Sequence, residues 1–191
     1  IALLSAERLV LNVMQRMSAI ATLTNKYVKA LEGLNTKVLD TRKTTPLIRF
    51  LEKEAVRIGG GVNHRYGLYD MIMLKDNHND FAGGIENSIN KTIKYLKNNK
   101  LNLKIEVETR NIDEVKEVLK VGKIDRIMLD NFTYEQMKKA VKLIDRKYET
   151  EASGGINLET VRKYAECGVD FISVGALTHS VCNMDLSLKA I

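Results

Sequence analysis

The sequence predicts an α/β fold in which short strands alternate with helices around a parallel sheet. Three observations carry this. Short apolar or β-branched runs alternate with amphipathic stretches. Helix-stop glycines, Gly122 and Gly168, stand just before new strands. Runs such as RIML (126–129) and FISV (171–174) are nearly continuously apolar, as expected of parallel strands covered on both faces.

In chain order, residues 3–32 carry Leu9, Val13, Met17 and Ile20 at helical spacing, which predicts one long helix or two joined near Ser18. Strands are expected at 37–41, 70–75, 103–108, 125–130, 149–153 and 170–174. Helices are expected at 47–58, 83–98, 111–121, 133–146 and 157–166. Asn111 with Glu114 three residues on resembles a capping box, and Asn157 leads into Leu158 and Glu159 as a second cap. The chain of 191 residues fits a single domain, 1–191, with a leading helical segment at 1–32 and βα repeats over 36–191.

Composition excludes several classes. No apolar run approaches the roughly 20 residues of a membrane helix. The start IALLSAERLV lacks a basic region and a cleavage site, so no signal peptide is read. It also lacks an initiator Met and begins inside a helical pattern, so an upstream segment is expected. Cys167 and Cys182 have no metal spacing and read as reduced thiols of a cytoplasmic protein. The net charge of +6 favours an anionic partner. Lys91, Lys94, Lys97 and Lys100 form a solvated helix face without interleaved aromatics, so no nucleic acid is expected.

The chemistry-bearing residues follow strand ends. Arg42 and Lys43 follow the first strand within DTRKTTP (40–46), Lys75 ends the second and Glu108 the third. Asp130 ends the fourth, Ser153-Gly154-Gly155 the fifth, and Gly175 follows the sixth. In a barrel these positions converge on one mouth, whereas an open sheet would spread them along an edge. Convergence favours the barrel.

The SGG run suits a phosphate, because its backbone N–H groups lie at a strand–helix turn. A tight turn accounts for one glycine equally well. VGA (174–176) is a weaker candidate of the same kind. Glu108 and Asp130 read as a carboxylate pair for Mg²⁺, as stabilisers of a cationic sugar centre, or as helix caps and ion-pair partners. GGG (59–61) reads as a hinge or a loose helix end. His64, Arg65 and Lys75 join Arg42 and Lys43 in a cationic cluster that calls for an anion such as a carboxylate or phosphate. The three histidines lack zinc spacing, and neither a Walker A motif nor GxGxxG is present.

ER-x-x-LN (7–12), SAIAT (18–22), DTRKTTP (40–46), GGGVNHR-x-GLYD (59–70), LKDNH (74–78), IEVE (105–108), IMLDN (127–131), EASGGI (151–156) and GVDFISVGALTHS (168–180) occur in that order. Together they resemble the quinolinate phosphoribosyltransferase family over nearly the whole chain. The resemblance implies an incomplete six-stranded α/β barrel with a long N-terminal helix, preceded by an α/β sandwich domain absent from this chain. It implies a homodimer in which Arg8 is supplied across the interface. The implied reaction transfers phosphoribosyl from phosphoribosyl pyrophosphate to quinolinate with loss of CO₂ and pyrophosphate, giving nicotinate mononucleotide, with Mg²⁺ as cofactor.

By position, the quinolinate clamp falls on Arg8, Arg42, His64, Arg65 and Lys75. The phosphoribosyl pyrophosphate residues fall on Lys43, Glu108 and Asp130, the latter two also holding the metal. The phosphate loops fall on Ser153, Gly154, Gly155 and Gly175, with His179 close by. Two departures stand out: Ala19 replaces a usual Gly, and Leu47-Ile48 replaces the usual Gly-Leu after TTP. Competing readings are a scaffold relative acting on another aromatic acid, and a non-catalytic subunit binding a phosphoribosyl ligand.

Overall fold

A computed structural model describes residues 2–189, with side chains from Leu4 onward. The opening pattern forms one uninterrupted helix, α1 (Ala2–Ala30). Its C-terminal half is mostly core, with Ala19, Ile20 and Tyr27 buried. Its first half buries Leu11 but leaves Leu9 71% exposed, with Leu4, Val10 and Met14 exposed beside it.

Next come β1 (Lys37–Leu39), α2 (Arg49–Ile58), β2 (Ile72–Leu74), α3 (Asp76–Ala82) and α4 (Ile85–Asn98). β3 (Ile105–Thr109), α5 (Ile112–Val121), β4 (Arg126–Asp130), α6 (Tyr134–Ile144) and β5 (Glu149–Ser153) follow. The last elements are α7 (Val161–Ala165), β6 (Phe171–Ser173) and α8 (Ala176–His179). The short helices α3 and α8 were not expected from the sequence. α3 begins on the LKDNH run, where His78 Nδ1 accepts the Lys75 N–H at 3.0 Å. Asn111 caps α5 through the Glu114 N–H at 2.9 Å. Asn157 caps the turn into α7 through Glu159 and Thr160 N–H groups.

All strand pairs are parallel, in the order β1-β6-β5-β4-β3-β2. β1 and β2, neighbours in sequence, do not pair. The free edge of β1 is taken by a single bridge to Val62, whose N–H donates to Val38 O at 2.8 Å. The barrel is therefore six-stranded and open between β1 and β2.

Each strand alternates more strictly than the runs suggested. Val107, Ile127, Leu129, Ala152 and Ile172 face outward into the helical layer and form the apolar core. Glu106 is opposite Arg126 across β3–β4, and Glu151 lies on the same face of β5, two residues beyond Arg126's partner Glu149. All three of Glu106, Arg126 and Glu151 face the barrel interior and are buried. The expectation of strands apolar on both faces is corrected here: the inner face is charged, because charge pairing inside a narrow barrel replaces branched apolar layers.

The glycines at 59–61 end α2 and let α1 lie close. A Cβ at Gly59 would meet Ala21 O at 2.5 Å, and one at Gly61 would meet Thr24 Cγ2 at 2.8 Å. These are packing glycines at a helix end.

Candidate active site at the strand C-termini

One cavity of about 660 Å³ opens at the C-terminal ends of the strands. Residues at or following the ends of all six strands line it, as a sheet curled into an incomplete barrel permits. Arg42 and Lys43 come from the end of β1, Lys75 from β2, Glu108 from β3 and Asp130 from β4. Ser153, Gly154 and Gly155 follow β5, Gly175 and His179 follow β6, and His64 and Arg65 enter across the β1–β2 opening. Twelve of the thirteen residues singled out in the sequence meet here. The exception is Arg8, which lies on the exposed start of α1 with its side chain 65% exposed.

The cations form one wall. Burial and the neighbouring Arg42 charge pull the Arg65 pKa below its ordinary value. Arg42 Nε is buried without a protein partner. Such a donor, beside a second guanidinium, suits an anionic ligand. Lys75 Nζ pairs with Glu108 Oε2 at 2.5 Å, so part of the positive charge is already offset.

Opposite lies the glycine loop. Gly154 has φ +99, and a Cβ there would fall 2.1 Å from Asn131 Oδ1. Gly155, at φ +60, faces open space, so a ligand can approach its backbone. Asn131, itself at φ 54, donates its N–H to Ser153 O at 2.9 Å and its side-chain amide to Asp130 Oδ2 at 2.7 Å. It ties the fourth and fifth strand ends together and lines the cavity. Its place in IMLDN was visible in the sequence, but its role was not. A Cβ on Gly175 would meet His179 Nε2 at 2.9 Å and Lys43 Cδ at 3.3 Å, so this glycine lets both side chains approach the mouth.

Beneath the cavity His64 stands over the buried carboxylates. Its Nε2 lies 3.0 Å from Glu106 Oε2 and 3.2 Å from Glu151 Oε2, though neither contact is aligned well enough to satisfy Nε2. Burial disfavours the imidazolium, but the two carboxylates outweigh it and push the His64 pKa up to about 9. Burial, and then the Glu151 charge, raises that of Glu106. Arg126 closes the cluster, donating to Glu151 Oε2 at 2.9 Å and stacking 4.0 Å above the Phe171 ring.

Among the described residues, His64, Glu106 and Glu151 bring three metal-type ligands within 4.8 Å. Yet the two carboxylates hold the His64 pKa at about 9, so its Nε2 carries a proton at neutral pH. A proton, not a lone pair, faces the carboxylates, so the trio is a proton-sharing cluster rather than a metal cage. Glu108 and Asp130, open to the cavity, better fit an ion that takes one or two carboxylates and fills its shell with phosphate oxygens and water.

A parallel barrel with cations, glycine loops and two carboxylates at the strand C-termini defines the class as an α/β barrel with its candidate site at the usual mouth. The profile of the family "Quinolinate phosphoribosyl transferase, C-terminal domain" matches residues 20–189, and the chain belongs to this family.

The chain is 50% identical over 198 residues to the chloroplastic carboxylating nicotinate-nucleotide pyrophosphorylase of Arabidopsis thaliana, covering 96% of this chain and 56% of that protein. It is equally similar, with the same coverage, to the mitochondrial decarboxylating quinolinate phosphoribosyltransferase 2 of Nicotiana glauca. The solved nicotinate-nucleotide pyrophosphorylase of Francisella tularensis superposes with TM-score 0.91 at 45% identity, covering 97% of this chain and 64% of that one. The chain thus spans little more than half the length of these plant relatives. Among the described residues, no helix is long and apolar enough to cross a membrane.

Proposed function

We propose that the barrel transfers phosphoribosyl from phosphoribosyl pyrophosphate to quinolinate, with decarboxylation to nicotinate mononucleotide. The observation that carries this reading is the division of one cavity into a guanidinium and ammonium wall and a glycine-loop wall. Arg42, Arg65 and Lys75 neutralise the two carboxylates of quinolinate, with His64 behind them, and turn the ring nitrogen toward the opposite wall. Met73 and Met128 line the cavity between the walls and offer a soft apolar surface to the ring. Ser153, Gly154, Gly155, Gly175 and His179 receive the phosphates, and Lys43 faces the departing pyrophosphate.

As the pyridine nitrogen forms its bond to the ribose anomeric carbon, the bond to pyrophosphate breaks with its electron pair leaving on oxygen. Glu108 and Asp130 stabilise the cationic character that develops at the sugar. The same carboxylates would hold Mg²⁺, which supplies charge neutralisation for pyrophosphate. The newly cationic ring then stabilises the electron pair left when the adjacent carboxylate departs as CO₂, and a proton from solvent is taken up at that carbon to give nicotinate mononucleotide.

We also propose a homodimer in which Arg8 reaches the partner's cavity. The exposed Leu4, Leu9, Val10 and Met14 near Arg8 in the same helix support it, since apolar side chains grouped on one exposed helix segment suit burial against another surface. The free thiols Cys167 and Cys182 support a reducing, cytoplasmic setting.

The test is turnover by the full-length protein. It should convert quinolinate only with phosphoribosyl pyrophosphate and Mg²⁺, and nicotinate about ten- to a hundredfold more slowly. That factor follows if the second carboxylate's charge-assisted hydrogen bonds, about 1.5–3 kcal/mol in total, are lost. Comparable rates on both acids would refute the dicarboxylate assignment.

A further inference from the structure

Helix α2 presents two adjacent, oppositely charged side chains, Glu52 and Lys53, and both are buried. Neither lines the cavity. Neighbours on a helix point in different directions, so this pair reaches two different loops.

Glu52 holds the loop after β1. Its carboxylate accepts the Thr45 N–H at 3.0 Å, the Thr45 hydroxyl at 2.8 Å and Arg16 Nε at 2.9 Å. Arg16 also donates to the Thr178 carbonyl on α8, and the Thr178 hydroxyl donates to Lys43 O at 2.8 Å. Glu52, Arg16 and Thr178 thereby close a ring around the loop bearing Lys43 and link it to the helix that follows Gly175.

Lys53 holds the other loop. Its ammonium donates to Asp40 Oδ1 at 2.6 Å and to His64 O at 3.0 Å. Asp40, fully buried, also accepts the His64 N–H at 2.8 Å and the Asn63 amide at 2.7 Å. The backbone leading into Arg65 is therefore clamped at His64 through both its N–H and its C=O. Both loops carry cations into one cavity and repel each other. A flexible loop would let those cations turn away, so each needs a buried anchor of its own.

We propose that Glu52 and Lys53 are positioning residues that set the two substrate halves separately. Glu52 registers Lys43 for the pyrophosphate half, and Lys53, through Asp40, registers His64 and Arg65 for the acid half. The assignment rests on the reaction proposed above, and it puts Asp40 and Thr45 of DTRKTTP to a defined use.

Two variants of the full-length protein test it. Glu52→Gln keeps the shape but loses the charge that gathers Arg16 and Thr45. Asp40→Asn with Lys53→Met removes both charges of the second pair, so no stranded buried ion confuses folding. Equilibrium binding of pyrophosphate and of quinolinate is measured for each, alongside KM for each substrate.

Glu52→Gln should weaken pyrophosphate binding and raise KM for phosphoribosyl pyrophosphate at least tenfold, with quinolinate binding within twofold. The double variant should do the converse. Equal losses on both ligands in each variant, or no loss in either, would overturn the positioning roles. If the parent protein fails to turn over quinolinate while the two binding losses still separate, the reaction falls and the positioning stands. If the parent binds neither ligand, both fall.

Discussion

Replacing Arg126 by Met tests the charged barrel interior most directly. The substitution keeps an apolar stem beside Phe171 but removes the guanidinium that sits 2.9 Å from Glu151 and 2.9 Å from Glu149. Glu151 and Glu106 are completely buried, so Glu151 loses its guanidinium partner and keeps the His64 ring at 3.2 Å, with no access to water. Removing one partner of a buried ion pair costs about 3–5 kcal/mol. The lost stacking over Phe171 overlaps with that figure, because the same desolvated guanidinium makes both contacts. Against a typical total of about 5–15 kcal/mol, the variant remains folded but with a large part of its stability gone.

The loss must depend on pH, and the sign follows from proton binding. Arg126 lowers the pKa of both Glu106 and Glu151, so removing it makes the folded cluster hold protons more tightly. The folded variant then binds more protons than its unfolded chain, and its stability falls as pH rises, by about 1.4 kcal/mol per unit for each extra proton. The parent has the same sign in weaker form. Its His64, raised from 6.5 to about 9, contributes stability that is fully present below pH 6.5 and is lost as pH rises through 9. Urea denaturation of parent and variant at pH 5, 7 and 9 measures both effects. A deficit below about 1 kcal/mol at pH 7, or one that does not grow with pH, would refute the buried ion-pair account.

Two further outcomes follow from local geometry. Leu47, where the family usually has Gly, is 96% exposed and holds φ 69, so Leu47→Gly should raise stability by about 1 kcal/mol in urea denaturation; an unchanged or lowered midpoint would mean that no strain is stored there. For the interface, Arg8→Ala and Arg65→Ala protomers, each inactive alone, should regain about a quarter of parental activity when mixed equally, since half the dimers form as hybrids with one intact site of two. No regain would refute the shared site.

Most of the candidate site was legible in the sequence because most of its chemistry-bearing residues, though not His64 and Arg65, sit at or just after strand ends, and chain order alone places strand ends together once a parallel α/β topology is accepted. The βα alternation, the caps at Asn111 and Asn157, and the glycines at 154 and 155 all act over a few residues, so local pattern was enough to find them. Leu9 is exposed although it shares the helical spacing of the buried Ile20, because periodicity marks an apolar stripe without saying what covers it. α3 and α8 escaped because helices of seven and four residues have too few turns to show a period.

What only the tertiary structure decided lies at long range. Glu106, Arg126 and Glu151 come from three strands and make sense only when the sheet curls and turns their shared face inward. Without that curl, IEVE and RIML read as ordinary strand text. Glu52 and Lys53 likewise look like surface charges of an amphipathic helix. They become buried anchors because α2 packs over the loops from β1 and Gly61. Sequence determined which residues could bind anions and in what order they occur. Burial, which sets the strength of each charge, belonged to the fold.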